Sequence, residues 1–185
     1  MVEKDKEQQF MEAYDSYSDA IFRYCYYRVF DREKAKDFVQ ETYCRAWKYI
    51  AGGKVIDDVR PFLYKIARNL IIDESRKRKN FSLDLAMEKG FAPKIDTRKK
   101  NEDYLAGKEL VIIVKSLDEK YRDVILMKYI EDLSTNEIAS ILGETENNVY
   151  VRLSRGFDQV RDIVKKQELS ISAPAHGSGS PVRDA

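Results

Sequence analysis

Asn147, Asn148, Tyr150, Val151, Arg152 and Arg155 crowd into one short stretch near the end of the chain. Asparagine and arginine are the side chains that pair bidentately with adenine and guanine edges in a DNA major groove. A second cluster lies further upstream. From Arg60 to Asn80 seven cations (Arg60, Lys65, Arg68, Arg76, Lys77, Arg78, Lys79) stand against Asp73 and Glu74, a local net charge of +5. Such a surface attracts phosphate. Acid-base or nucleophilic catalysis has far less to work with. The one histidine, His176, sits in a Gly/Ser/Pro-rich tail, no Gly-rich phosphate loop is present, and Cys25 and Cys44 lack the close spacing of a zinc or redox pair. The cysteines read as small core residues in a reducing compartment. No metal or cofactor is expected.

The elements that would hold these residues are helices. Phe10, Tyr14, Tyr17, Ile21 and Tyr24 recur at spacings of four and three, with Arg28 next in the series, which predicts a helix from about Glu7 to Val29. Asp31 can cap a second helix carrying Ala35, Phe38, Val39, Thr42, Tyr43, Ala46, Trp47 and Ile50 on one side. Gly52-Gly53 ends it. Asp57 or Asp58, followed by Pro61, opens a third whose apolar face is Val59, Phe62, Leu63, Ile66, Ala67 and Leu70. These predict an N-terminal helical domain over residues 1–79. Residues 80–101, broken by Gly90 and Pro93, read as a flexible linker. The second domain, 102–167, contains a helix through Leu105, Leu110, Ile113, Val114 and Leu117 and another through Tyr121, Val124, Ile125 and Tyr129. Next comes a short helix opened by Ser134-Thr135-Asn136-Glu137, the spacing of a capping box, and stopped at Gly143. Thr145 starts a last helix with Val149, Leu153, Phe157, Val160 and Val164 on its apolar side. Short helix, tight turn, longer helix is the order of a helix-turn-helix, whose second helix enters the major groove. Residues 168–185 read as a disordered tail. The class is all-α: two small helical domains joined by a flexible linker, the C-terminal one containing a helix-turn-helix.

Charge qualifies the recognition surface. Over the 185 residues, 33 Lys and Arg nearly balance 32 Asp and Glu. From Glu144 to Lys165 four cations face four carboxylates, so the last helix supplies little non-specific attraction to phosphate. The first nineteen residues are net acidic. No apolar run approaches the roughly 20 residues of a membrane-spanning helix, and the polar N-terminus lacks the pattern of a secretory signal, so a cytoplasmic protein without direct membrane insertion is expected.

Asp37-Phe38-Val39-Gln40-Glu41-Thr42-Tyr43-Cys44-Arg45-Ala46-Trp47, with Phe62-Leu63-Tyr64-Lys65-Ile66-Ala67-Arg68-Asn69-Leu70-Ile71-Ile72-Asp73-Glu74, resembles region 2 of bacterial RNA polymerase sigma factors. Leu117-Asp118-Glu119, Ile138-Ala139-Ser140-Ile141-Leu142-Gly143 and Val149-Tyr150-Val151-Arg152-Leu153-Ser154-Arg155-Gly156 resemble their region 4. The pair in this order, separated by a linker alone, is similar to the extracytoplasmic-function (ECF) group. The resemblance implies a transcription initiation factor without catalytic activity. It would bind RNA polymerase core through Asp37, Gln40, Glu41 and Thr42 on the clamp helices of the largest catalytic subunit, with region 4 on the flap of the other large subunit. Promoter DNA would meet Lys54, Arg60, Lys65, Arg68, Asn69, Arg76, Lys77 and Arg78 on the minus-10 side, where the duplex opens, with the Ala51–Asp58 loop taking an extruded base. On the minus-35 side it would meet Asn147, Asn148, Tyr150, Val151, Arg152 and Arg155. An anti-sigma factor is the implied regulator. An autonomous helix-turn-helix transcriptional regulator is the alternative reading of the same residues.

Overall fold

The computed structural model describes the backbone of residues 2–85 and 110–172, and the side chains of residues 6–77 and 110–166. Regular structure among the described residues is entirely helical: α1 (Val2–Val29), α2 (Arg32–Ala51), α3 (Val59–Leu85), the helical residues 110–116 (α4), α5 (Glu119–Ile125), α6 (Thr135–Leu142) and α7 (Glu146–Ser172). The helix starts follow the cap chemistry. Asp31 Oδ1 accepts from the backbone N–H groups of Glu33 and Lys34 at 3.1 and 3.2 Å, and Asp58 Oδ1 accepts from Arg60 N at 3.2 Å with Pro61 in the first turn. At α6 both halves of the capping box form: Glu137 N donates to Ser134 Oγ at 3.2 Å, and Ser134 N donates to Glu137 Oε2 at 2.7 Å. Gly143 then turns the chain at φ +68, a left-handed conformation that costs glycine little.

Three helices outrun their periodicity. α1 begins at Val2 rather than near Glu7. α3 continues through the basic run to Leu85, where the linker was expected from residue 80, because no glycine or proline intervenes before Gly90. α7 likewise reaches Ser172, just short of Pro174. The remainder of the expected linker and tail lies outside the described residues.

The two helical halves do not keep separate cores. α1, α2 and α3 pack around Ile21, Tyr24, Cys25, Tyr43, Leu63, Tyr64 and Ala67; α4 to α7 pack around Val114, Val124, Leu126, Met127, Leu133, Ile138, Ile141 and Val149. These buried residues form one continuous cluster, with α3 lying against α6 and α1 against the segment after α5. Complete enclosure pushes the Cys25 thiol up to about 12. Between α5 and α6 the helix widens into a π turn, Leu126–Ile130, closed by Glu131 N donating to Leu126 O at 3.0 Å, and Asp132 follows at φ +49.

Three aromatic side chains expected on buried faces stand partly in solvent. Tyr129 and Phe157 are 56% and 45% exposed and pack on each other, with ring centres 5.9 Å apart. Tyr14, on the N-terminal half of the α1 stripe, is 44% exposed. It and Phe10 meet Tyr43 and Trp47 of α2 edge-on, leaving an apolar groove of about 880 Å³ between the two helices.

Candidate nucleic-acid and polymerase interface

The helix-turn-helix presents its candidate reading face to solvent. Val149 and Leu153 lock α7 onto the core, so Asn147, Asn148, Tyr150, Val151 and Arg155 emerge together on the opposite side, all exposed. Asn148 N donates to Thr145 Oγ1 at 3.3 Å, which fixes the first turn of α7. Tyr150 and Glu146 both reach Thr135 Oγ1, at 3.3 and 3.1 Å, tying α7 to the start of α6. Arg152 is placed differently. Its Nη1 donates to Glu144 Oε1 at 2.7 Å, while Nε, at 3.1 Å, and Nη2 donate to the Lys120 carbonyl. Here Arg152 braces the turn against α5.

The basic residues of α3 divide between two faces. Residues 60, 64 and 68 follow one another at i+4 and form an inner stripe; Lys65, Asn69, Arg76 and Lys77 are exposed on the outside. The side chain of Arg78 lies outside the described residues. In the loop before α3, Lys54 Nζ sits 5.0 Å above the Tyr49 ring, and Tyr49 packs on Phe62 with centroids 4.8 Å apart. This exposed cation beside a half-buried aromatic pair could take a stacked base.

The inner stripe faces the other half of the molecule. Glu131, whose side chain is wholly enclosed, accepts from Arg23 Nε at 2.9 Å and Nη2 at 2.6 Å and from the Tyr64 hydroxyl at 3.1 Å; its backbone carbonyl accepts from Arg60 Nη2. Arg60 Nη1 also lies 3.5 Å from Glu137 Oε1. Asp123, equally buried, accepts from the Tyr24 hydroxyl at 3.0 Å and from Arg68 Nε at 3.1 Å. Arg28 Nε lies 2.9 Å from its Oδ1 as an ion pair, although that N–H makes no hydrogen bond. Burial, then the neighbouring carboxylate, pushes both tyrosine hydroxyls far above the ordinary tyrosine range, so they remain donors. The hydrogen bonds to Glu131 hold Arg23 more firmly protonated.

Sequence reading missed this network, although two signals were present. Arg28 occupies an apolar-stripe position of α1, and Asp123 and Glu131 flank the core run from Val124 to Ile130. Charges in such places need partners.

On α2, Asp37 and Gln40 are exposed, and Gln40 rims the apolar groove together with Lys36 and Cys44. Arg45 Nε, 2.7 Å away, holds the Glu41 carboxyl below its usual range. Thr42 is enclosed and its hydroxyl donates to the Phe38 carbonyl at 2.6 Å, so it belongs to the inner side of α2.

Comparison with known proteins adds the family context. A family model described as Sigma-70 region 2 matches residues 13–81, and one described as Sigma-70, region 4 matches residues 110–160. The chain is 32% identical over 170 residues to the ECF RNA polymerase sigma factor SigW of Bacillus subtilis, covering 86% of this chain and 91% of the relative. It is 30% identical over 163 residues to the ECF RNA polymerase sigma factor SigL of Mycobacterium tuberculosis, covering 86% and 89%. Among solved structures, the fold is similar to that of the sigma factor RpoE in its complex with the anti-sigma factor NepR from Bartonella quintana. That match has a TM-score of 0.71 at 20% identity, over 88% of this chain and 98% of the other. It is also similar to CnrH in complex with the cytosolic domain of CnrY, with a TM-score of 0.66 at 18% identity, over 86% and 90%.

Proposed function

Since the chain belongs to the sigma-70 family and within it to the ECF sigma factors, we propose that it is a dissociable initiation subunit that joins RNA polymerase core and directs it to promoters. The observation that carries this reading is the pairing of a region 2 helical unit with a helix-turn-helix whose reading face is free. Asn147, Asn148, Tyr150, Val151 and Arg155 stand in solvent together, opposite Val149 and Leu153. They are placed to read a minus-35 duplex, with Arg152 joining them once it leaves Glu144 and Lys120. Lys65, Asn69, Arg76 and Lys77 on the outer face of α3 would track the opened minus-10 strand. Lys54, Tyr49 and Phe62 offer a surface for an unstacked base. Asp37, Gln40 and Glu41 on α2, of which Gln40 rims the α1–α2 groove, would contact core polymerase. The factor performs no catalysis of its own and works in the cytoplasm; no described helix is long and apolar enough to cross a membrane. An anti-sigma factor is its expected regulator.

Transcription from a genomic fragment library with cognate core polymerase tests the reading. Discrete start sites are expected only when this protein is added. Asp37→Ala with Gln40→Ala should weaken core binding about tenfold, on the order of 1.4 kcal/mol, whereas Arg155→Ala should spare core binding and lower use of minus-35-dependent promoters. Protection of a specific duplex by the protein alone, with no start sites in the presence of core, would instead identify an autonomous regulator.

A further inference from the structure

We infer that Glu144 is a positioning residue for the helix-turn-helix: it pins Arg152 against the turn and so withholds from DNA a phosphate contact that α7 would otherwise make. This rests on the reading of α7 as the minus-35 helix. The clasp engages the whole guanidinium. Arg152 donates Nη1 to Glu144 Oε1 at 2.7 Å, and it directs Nε, at 3.1 Å, and Nη2 at the Lys120 carbonyl, so all three nitrogens of its planar fork are held. Glu144 comes from a fixed place. Directly after the left-handed Gly143, its backbone N–H donates to Ala139 O at 3.1 Å, which sets the point from which the carboxylate reaches α7. The two side chains are only 21% and 31% exposed, so salt and solvent screen the pair less than one in open water.

Arg155 provides the contrast. It stands three residues further along α7, about 60° around the helix, exposed and without a partner among the described residues. The exposed Asn147, Val151, Ser154 and Arg155 gather about one direction of α7. Tyr150 and Arg152 lie about 100° to either side of Val151, toward the phosphate walls of a major groove rather than its floor. Both flanks are tethered to the scaffold, Tyr150 to Thr135 and Arg152 to Glu144. A free cation on such a flank attracts the backbone of any sequence, whereas one paired with a carboxylate does not. Glu144 thereby leaves the binding of α7 to its base-reading face, in keeping with the balance of four cations and four carboxylates from Glu144 to Lys165.

The test measures equilibrium binding of promoter duplex by holoenzyme, assembled from the full chain and cognate core polymerase, as salt is varied. Glu144→Ala should raise affinity about tenfold at low salt and steepen the log-log salt dependence by about 0.9, the counterion release of one added phosphate contact on duplex DNA. The gain should be equal for the preferred minus-35 sequence and for scrambled ones, because a backbone contact carries no base information. In an Arg152→Ala background the same Glu144→Ala change should add nothing to affinity or slope. A gain that survives in that background makes Glu144 a repeller of phosphate and overturns the clasp. An unchanged slope in Glu144→Ala, or a gain confined to one minus-35 sequence, overturns the withheld phosphate contact. Glu144→Gln, which keeps the shape of the side chain, guards against a disturbed turn and should give the same changes at smaller amplitude. In the free protein, the Arg152 Nη protons should give separate, slowly exchanging magnetic resonance signals that merge in Glu144→Ala. Merged signals in the parent count against the clasp alone, since that arm needs neither DNA nor polymerase. Absence of any promoter complex with parent and variants alike counts against the sigma reading, and with it the withheld contact.

Discussion

Gly156 shows how much a single hydrogen atom can decide. A Cβ there would lie 2.9 Å from Ile125 Cγ1 and 3.2 Å from Tyr121 Cβ, so the glycine sets how closely α7 approaches α5. Gly156→Ala gains about 1 kcal/mol of helix propensity but incurs an overpacking cost of about 1–3 kcal/mol, and a net loss near ~1 kcal/mol should lower the urea midpoint. Gly143→Ala should cost a similar ~1–2 kcal/mol for another reason, its left-handed backbone in open space. Ile125→Ala separates the causes. It should rescue part of the Gly156→Ala loss and add independently to Gly143→Ala. Residues whose role is local were legible in sequence: Asp31, Asp58 and the Ser134–Glu137 pair each cap the helix that their spacing announces. Arg28, Asp123 and Glu131 were not, because their meaning lies in partners tens of positions away.

At the scale of the helix, periodicity located the helices but not the π turn, and it misjudged where α1 starts, where α3 and α7 end and which faces some of them bury. Breakers set helix ends more firmly than fading hydrophobicity, hence the long α3 and α7. The division of α3 into two basic faces follows from 3.6 residues per turn, but only contact with α5 and α6 decides which face is occupied. A pH-dependent consequence concerns α2. Its cap, Asp31, has a carboxyl held below the ordinary aspartate range, chiefly by the Lys34 backbone N–H. The folded value is lowered, so the stabilisation is complete above the unfolded value of about 4 and disappears as pH falls through the lower, folded one. Amide exchange in the first turn of α2 should accelerate in acid over that window. Asp31→Asn, which caps without titrating, should flatten this component of the profile while leaving protection near neutrality largely intact.

For the whole molecule, one continuous core and a buried ionic seam imply a single cooperative unit rather than two tethered ones. Trp47, the only tryptophan, reports on α1 and α2, whereas far-ultraviolet circular dichroism reports on every helix. The two signals should give coincident urea transitions in the native chain. Replacing Asp123 and Glu131 by alanine should pull them apart, because each half then unfolds on its own account. Two helical units and a helix-turn-helix could be read from the sequence, but the halves' union could not: it depends on the phase of one turn. On a regular helix, positions 123 and 131 point about 80° apart. The π turn lies between them, and both carboxylates reach side chains of α1 and α3, Asp123 taking Tyr24 and Arg68 and Glu131 taking Arg23 and Tyr64. The widened turn is a frame-setting insertion, and it makes the number of residues between Asp123 and Glu131, more than their identity, the quantity that holds the two halves in register.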